Sequence, residues 1–251
     1  MTESLFSRIR GKREIVLKGW LVLELTKRLL AVASFVRDGA YLIDVGTDHA
    51  YLPIYLAETG RISAATASDI NEGPCESARA HIAENGFADK IEVKRANGLA
   101  GHSARGKTDI VIAGMGGALI CEILENAGFI RQGGVRLILQ PMRNAADLRA
   151  YLLGGGFTIS GEALAREEDR IYEIICAEYS GDCRGADKLT LLLGNKNIEN
   201  RAQNRELFAD FCKKHASALR KKIDGMKKGG MDAKLEKAML ADIEEFIAEL
   251  T

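Results

Sequence analysis

Five times between residues 40 and 141 the chain passes from a short apolar run to a polar or glycine-bearing tip: "AYLIDVG", "AATASDI", "KIEVKRAN", "DIVIAGM" and "VRLILQP". Helix-period sequence follows each run, the pattern of parallel strands joined by helices on both faces of a sheet. A further pair, "FTISGEALAREEDRIYEIICAEY", has no helix between its halves and predicts a terminal antiparallel hairpin. The expected fold class is α/β, with a mostly parallel sheet. Strand patterning stops near "SGDCRGAD". Beyond it Phe208, Phe211, Leu219, Ile223 and Met226 stripe one helix, Leu235, Met239, Ile243, Phe246 and Leu250 stripe another, and "KKGGMD" turns the chain between them. An antiparallel, coiled-coil-like helical hairpin is expected. The chain therefore divides into an N-terminal extension over 1–20, an α/β domain over 21–183 and a helical hairpin over 184–251.

A chain of 251 residues, 47% of them hydrophobic, can bury a full core. Its formal net charge is zero but unevenly spread. Residues 1–30 carry seven Lys/Arg against three Asp/Glu, 31–183 carry 14 against 21, 184–228 carry 12 against five, and 229–251 carry two against six. An acidic centre between basic flanks suggests a polyanion held by the flanks, with solvated helix faces as the competing reading. Cys75, Cys121, Cys176, Cys183 and Cys212 form no C-x-x-C pair and no zinc-spaced cluster with histidine. They read as reduced, mostly buried thiols, with no metal and a cytoplasmic location. No apolar run approaches the roughly 20 residues of a membrane span, and the first 20 residues lack the apolar centre of a secretory signal. No membrane partner is expected.

The first strand tip most restricts the ligand. In "YLIDVGTDHAYLPIYL" Asp44 closes the strand, Gly46 permits the turn, and a helix starting near Tyr51 aims its N-terminal amides at what binds there. Asp69 closes the next strand, where nucleotide folds place the acid that grips ribose hydroxyls, and Ile70 follows it. A dinucleotide would lay a pyrophosphate against the turn, which Asp48 repels. S-adenosylmethionine offers the same ribose and brings an ammonium and a sulfonium, which carboxylates attract. The expected cofactor is S-adenosylmethionine, contacted by Asp44, Gly46, Asp48, His49, Asp69 and Ile70. Asp48 as a helix cap, His49 as a packing residue and the two strand-end acids as turn formers are the competing readings.

Asn97, Gly98 and Leu99 of "RANGLAG" stand where such folds clasp an adenine edge. "IAGMGGALICEIL" is a second glycine-rich turn, but the sixth position of a G-x-G-x-x-G is Leu119 and the next strand ends "LILQP" without a ribose acid. Gly114, Met115, Gly116 and Gly117 therefore read as a low platform on which a flat base approaches the methyl group, with Met115 as a stacking surface or plain core. Gln140, Pro141 and Asn144 at the fifth tip face the same cleft and suit an adenine edge. Arg28 of "LTKRL" lies on the preceding helix at the cleft rim and suits a phosphate or a solvent salt bridge.

"LTKRL", "DVGTDHAYLPIYL", "ASDINEGP", "NGL", "DIVIAGMGGALI", "LILQPM", "LR" and "YEII", in this order and spacing, closely resemble the bacterial tRNA (adenine-N1)-methyltransferases that modify adenosine 22. The resemblance is strong over roughly residues 24–180, looser over the C-terminal hairpin, and excludes the first 20. It implies a class I, Rossmann-like methyltransferase domain followed by a helical hairpin, with S-adenosylmethionine as donor and tRNA as partner. The stretch "VASFVRDGAYLID" departs from the more polar approach usual in the family.

Adenine N1 carries a lone pair, so attack on the methyl needs no prior proton removal. It needs in-line placement and stabilisation of the positive charge that forms on the ring. Asp48, on the turn nearest the methionine end of the donor, is the candidate catalytic carboxylate, with Met115 beside it. N1 lies on the pairing edge, so a paired base must be flipped out, from an RNA held by shape and phosphates. Lys213, Lys214, Lys221 and Lys222, with Arg220, Lys227 and Lys228, are placed on the hairpin to take those phosphates; the basic N-terminal segment around Arg8, Arg10, Lys12 and Arg13 is the alternative contact should the hairpin not be it. A hairpin that packs on another subunit or on its own catalytic domain would instead leave these cations solvated. A methyltransferase for small molecules or proteins would lose nothing with the hairpin, and a non-enzymatic RNA-binding module would bind tRNA without the donor.

Overall fold

The computed structural model describes residues 15–17, 20–22 and 24–250, the first six for their backbone alone. Strands β1 (Ile15–Leu17) and β2 (Trp20–Val22) form a small antiparallel ladder that the sequence did not announce. The basic cluster Arg8, Arg10, Lys12 and Arg13 lies outside the described residues.

From there the expected alternation is realised. Helix α1 (Lys27–Phe35) leads into β3 (Ala40–Val45), α2 (Tyr51–Glu58), β4 (Ile62–Asp69), α3 (Glu72–Glu84) and β5 (Ile91–Arg95). Then follow β6 (Thr108–Met115), α4 (Gly117–Glu125), β7 (Val135–Pro141) and α5 (Ala145–Gly154), and last the strands β8 (Phe157–Glu167) and β9 (Arg170–Tyr179). The sheet has seven strands in the order β5-β4-β3-β6-β7-β9-β8, the first five parallel and the last two antiparallel. One expected helix is missing. The stretch from β5 to β6 is turn and loop, because Gly98, Gly101 and Gly106 within so short a span lower helix propensity.

Period two sorts the strand residues between two cores. Leu42, Ala65, Val111, Ile138 and Ile174 pack beneath α1, α2 and α3, with Val32, Ile54 and Ile82. Their neighbours Ile43, Ile110, Ile112, Leu137, Leu139 and Ile175 pack on the other face, against Ile120 and Leu124 of α4 and Leu148 and Leu152 of α5. Polar tips at the strand ends are left to one edge of this three-layer body.

The C-terminal region is helical, as expected, but it begins with two short helices, α6 (Lys188–Leu193) and α7 (Asn195–Glu199), before the long α8 (Arg205–Lys228) and α9 (Lys234–Leu250). Arg220–Glu244 at 2.7 Å, Lys222–Glu236 at 2.8 Å and Arg201–Glu249 at 3.0 Å show α9 running antiparallel to α8. Phe208, Phe211, Leu219 and Ile223 are buried as the stripe predicts. Leu235 is not. At 100° per residue it sits about 80° around the helix from Ile243, and Glu236 takes the inward position instead. The five cysteines are free, three of them buried, Cys121 half-buried and Cys183 exposed. No helix among the described residues is long and apolar enough to cross a membrane.

Candidate active site

Strand β3 lies between β4 and β6, so the strand order reverses there and the crevice outside the strand tips opens between β3 and β6. Gly46 has φ +78°, and a Cβ on it would collide with Cε of Met115, so the β3 and β6 tips meet glycine against thioether. Met115 is half-buried on the core beneath α4, and its Cε lies against Gly46 at the β3 tip.

Two carboxyls leave this tip in different surroundings. Asp44 is buried, and burial pushes its carboxyl up to about 6, a rise the neighbouring Thr47 side chain partly offsets. The Thr47 hydroxyl is itself buried with no well-formed hydrogen bond. Asp48, by contrast, has a side chain 78% exposed. It does not cap α2: the cap residue is Ala50, left-handed at φ 55°, with no side-chain hydrogen bond. The capping alternative is therefore removed. His49 braces this turn rather than facing the crevice alone. Its Nδ1 is 2.6 Å from the Ser77 hydroxyl, its ring lies 5.0 Å from that of His81 and 5.1 Å from that of Tyr51, and its Nε2 is 3.3 Å from Asp48.

At the β4 tip the Asn71 amide donates to Oδ1 of Asp69 at 2.8 Å, which leaves Oδ2 without a protein partner among the described residues. Asp69 thus forms a turn and still has an oxygen to offer. Ile70 beside it is 52% exposed, an apolar surface on a strand tip. Asn97 is exposed, and Gly98 packs on Ile123. The Leu99 side chain belongs to the core beneath α4, so only its backbone is left to face a ligand.

The β6 tip is bulged at Gly114. Its freed amide donates to Oε1 of Gln140 at 3.1 Å, and Nη1 of Arg28 donates to the same oxygen at 2.8 Å. The Gln140 amide donates in turn to the Pro141 carbonyl at 3.0 Å. Gln140 is 0% exposed, so it braces the platform and has nothing left with which to read a base. Arg28 is likewise engaged: its backbone amide donates to Glu167 at 2.7 Å, and its guanidinium lies over Tyr172. Gly116 sits beside the Arg143 side chain. Gly117, expected to meet substrate, is instead buried, and a Cβ there would collide with the backbone at Asn144. Pro141 is buried, while Asn144 is exposed as the left-handed cap residue of α5.

On the hairpin, Lys213 pairs with Asp210 at 3.1 Å and Lys222 with Glu236 at 2.8 Å, whereas Lys214 and Lys221 are exposed without an ion pair. Sequence reasoning passed over Met142, 45% exposed at the crevice lip, and Arg143. Both follow directly on the "LILQP" run, so their strand-tip position was the available signal. Arg170 and Tyr172 carry no such signal, since their hairpin reads as plain structure.

A buried Asp44 carboxyl, a Thr47 hydroxyl with no well-formed bond and a free Asp69 oxygen suit a ligand with a cationic head and ribose hydroxyls. Residues 25–175 match the family model described as a methyltransferase domain. The chain is 38% identical over 173 residues to the tRNA (adenine(22)-N(1))-methyltransferase of Bacillus subtilis, covering 68% of this chain and 72% of that protein. The chain belongs to the tRNA (adenine(22)-N1)-methyltransferase family. The crystal structure of the B. subtilis m1A22 tRNA methyltransferase TrmK superposes with a TM-score of 0.72 at 30% identity, over 91% of this chain and 97% of that one. A Streptococcus pneumoniae structure in complex with S-adenosyl-L-methionine gives 0.74 at 34% identity, over 89% and 100%. The family's fold thus includes the helical C-terminal region as well as the sheet.

Proposed function

We propose that this protein transfers a methyl group from S-adenosylmethionine to N1 of adenosine 22 in tRNA. The observation that carries the reading is the β3 tip, where a buried carboxyl and an exposed one flank the contact between Gly46 and Met115. Asp44 and Thr47 would hold the cationic end of the donor, Asp69 its ribose through Oδ2, and Ile70 its base. Bound there, S-adenosylmethionine supplies an electrophilic methyl group. Met115 and the glycine platform let the target base lie flat beside it, and the apolar contacts exclude water from the crevice. N1 attacks with its own lone pair, so the protein has no proton to remove first. Asp48, fully outside the cap role and held by His49, faces the charge that develops on the ring. Residues 21–183 do this chemistry, and 184–251 grip the tRNA, with Lys214 and Lys221 free to meet phosphates. The free cysteines agree with reaction in the cytoplasm.

Incubation of the protein with unmodified bulk tRNA and labelled S-adenosylmethionine, followed by nucleoside analysis, should yield 1-methyladenosine, and a tRNA with guanosine at position 22 should take no label. Asp48→Asn should keep tRNA affinity and lower the methylation rate by roughly tenfold or more. Label in another nucleoside would overturn the reading of the substrate, and full activity in the Asn variant the role of Asp48.

A further inference from the structure

Every arginine among the described residues has a hydrogen bond, an ion pair or an aromatic ring for its guanidinium, except two: Arg143 and Arg170. They come from sites 27 residues apart in sequence, the turn after β7 and the first residue of β9, yet they line one cleft of about 500 Å³. Lys214 of α8 lines it from the third side, exposed and without an ion pair. The first turn of α5, with Asn144, Ala145 and Ala146, closes the floor and adds its unpaired amides.

Charges opposing these cations are few. Glu173 is the one carboxylate in the lining, and its Oε2 accepts from Arg149 at 2.6 Å, so its charge is already met from behind, with Lys214 in longer electrostatic reach. His215 also lines the cleft; burial and the nearby Lys214 and Arg149 push its imidazole down to about 4, so it is a neutral wall at neutral pH. Tyr172 forms another wall, with Arg28 over its ring, and so connects the cleft to the platform beside Gly114.

We infer that this cleft is a binding site for the RNA sugar-phosphate backbone next to the flipped target nucleotide, with Arg143, Arg170 and Lys214 as its phosphate ligands. The inference rests on the proposed tRNA methylation. Guanidinium forks suit phosphate oxygens, and leaving two of them unpaired beside a crevice has no role in holding the fold. The position explains why the helical region sits where it does: α8 supplies one side of a site whose other sides belong to the methyltransferase body. Flipping a base needs such a grip, because the strand must be held on either side of the extruded nucleotide.

The test uses the full chain and an unmodified tRNA transcript. Arg170→Gln with Lys214→Gln should raise KM for tRNA about tenfold while leaving S-adenosylmethionine affinity, measured by calorimetry, unchanged. The logarithmic salt slope of tRNA binding should fall by about 0.7 to 0.9 for each phosphate that the protein no longer neutralises. Arg170→Lys alone, which keeps the charge, should retain most of the slope. Lys237→Gln on α9 serves as the control for removal of a surface charge elsewhere. An unchanged slope in the double variant, or an equal fall in the Lys237 variant, overturns the inference. A parent protein that neither binds nor methylates tRNA would instead overturn the proposed function, so the two failures are told apart.

Discussion

Arg143 and Arg149 are six residues apart around the start of α5, and the protein uses them in opposite ways. Arg149 is 1% exposed, with its guanidinium on Glu162 at 2.6 Å, Glu173 at 2.6 Å and the Leu191 carbonyl at 3.0 Å. Glu162 completes the network by accepting from the backbone amide of Lys196 at 2.9 Å. One buried cation thus ties α5 and both strands of the terminal hairpin to α6 and α7. Arg143 has no such partner and opens to the cleft. Charge consumed inside the fold fastens the helical region to the sheet, and charge left open is available to a polyanion. The uneven distribution along the chain therefore has two meanings, and net charge by segment does not separate them.

The largest expected effect comes from breaking the consumed set. Arg149→Ala leaves the buried Glu162 and the half-buried Glu173 without their cation and should lower unfolding stability by about 3 to 5 kcal/mol, read by denaturant titration. Arg170→Ala should stay within about 0.5 kcal/mol of the parent. Equal stability of the two variants would erase the contrast.

Next is the donor side. Asp69→Ala should weaken S-adenosylmethionine binding by about 1.5 to 3 kcal/mol, the worth of hydrogen bonds to a charged group. Asp69→Asn preserves the oxygen that receives the Asn71 amide, so a loss in both variants points to the ribose and not to the turn. Unchanged calorimetric affinity in the alanine variant would return Asp69 to a structural part.

Asp44 gives a smaller effect with a definite sign. Its carboxyl is raised from 3.8 to about 6 by burial, so between those values the folded chain holds a proton that the unfolded chain has released. Its contribution to stability is present at low pH and is lost as pH rises through that window. A cationic ligand needs the ionised form, so donor affinity should rise with pH by up to tenfold per unit below about 6 and then level off. Asp44→Asn should flatten that dependence, and a parent affinity independent of pH across the interval from the ordinary carboxylate value of 3.8 to about 6 would remove Asp44 from the site.

The smallest effect is on the hairpin. Lys221→Gln should reduce the salt slope of tRNA binding by about 0.7 to 0.9 if that lysine meets a phosphate, while Lys222→Gln, whose ammonium is already 2.8 Å from Glu236, should reduce it less. Equal slopes in both variants would make the Glu236 pair irrelevant to RNA.

Residue order alone determined much of this molecule. Five apolar runs with polar tips specify a parallel sheet, since strands buried on both faces must be apolar throughout and only their ends can carry Asp44, Asp69 or Gly114. The same local grammar placed Asp48 in the turn after β3, Met115 at the tip of β6 and the apolar stripe on α8. It failed where a residue's role depends on what another segment brings to it. Gln140 and Gly117 look like open polar and open small positions, yet the bulge at Gly114 and the backbone at Asn144 consume them. Leu235 lies about 80° around its helix from the stripe it was expected to join, and the Leu99 side chain is drawn into the core beneath α4. Arg143, Arg170 and Lys214 are ordinary surface cations in sequence and become one cleft only when a turn, the start of a strand and a helix converge. Hydrophobic periodicity is local and can be read along the chain; pairing and desolvation of charge are properties of neighbours in space, and only the tertiary structure decides them.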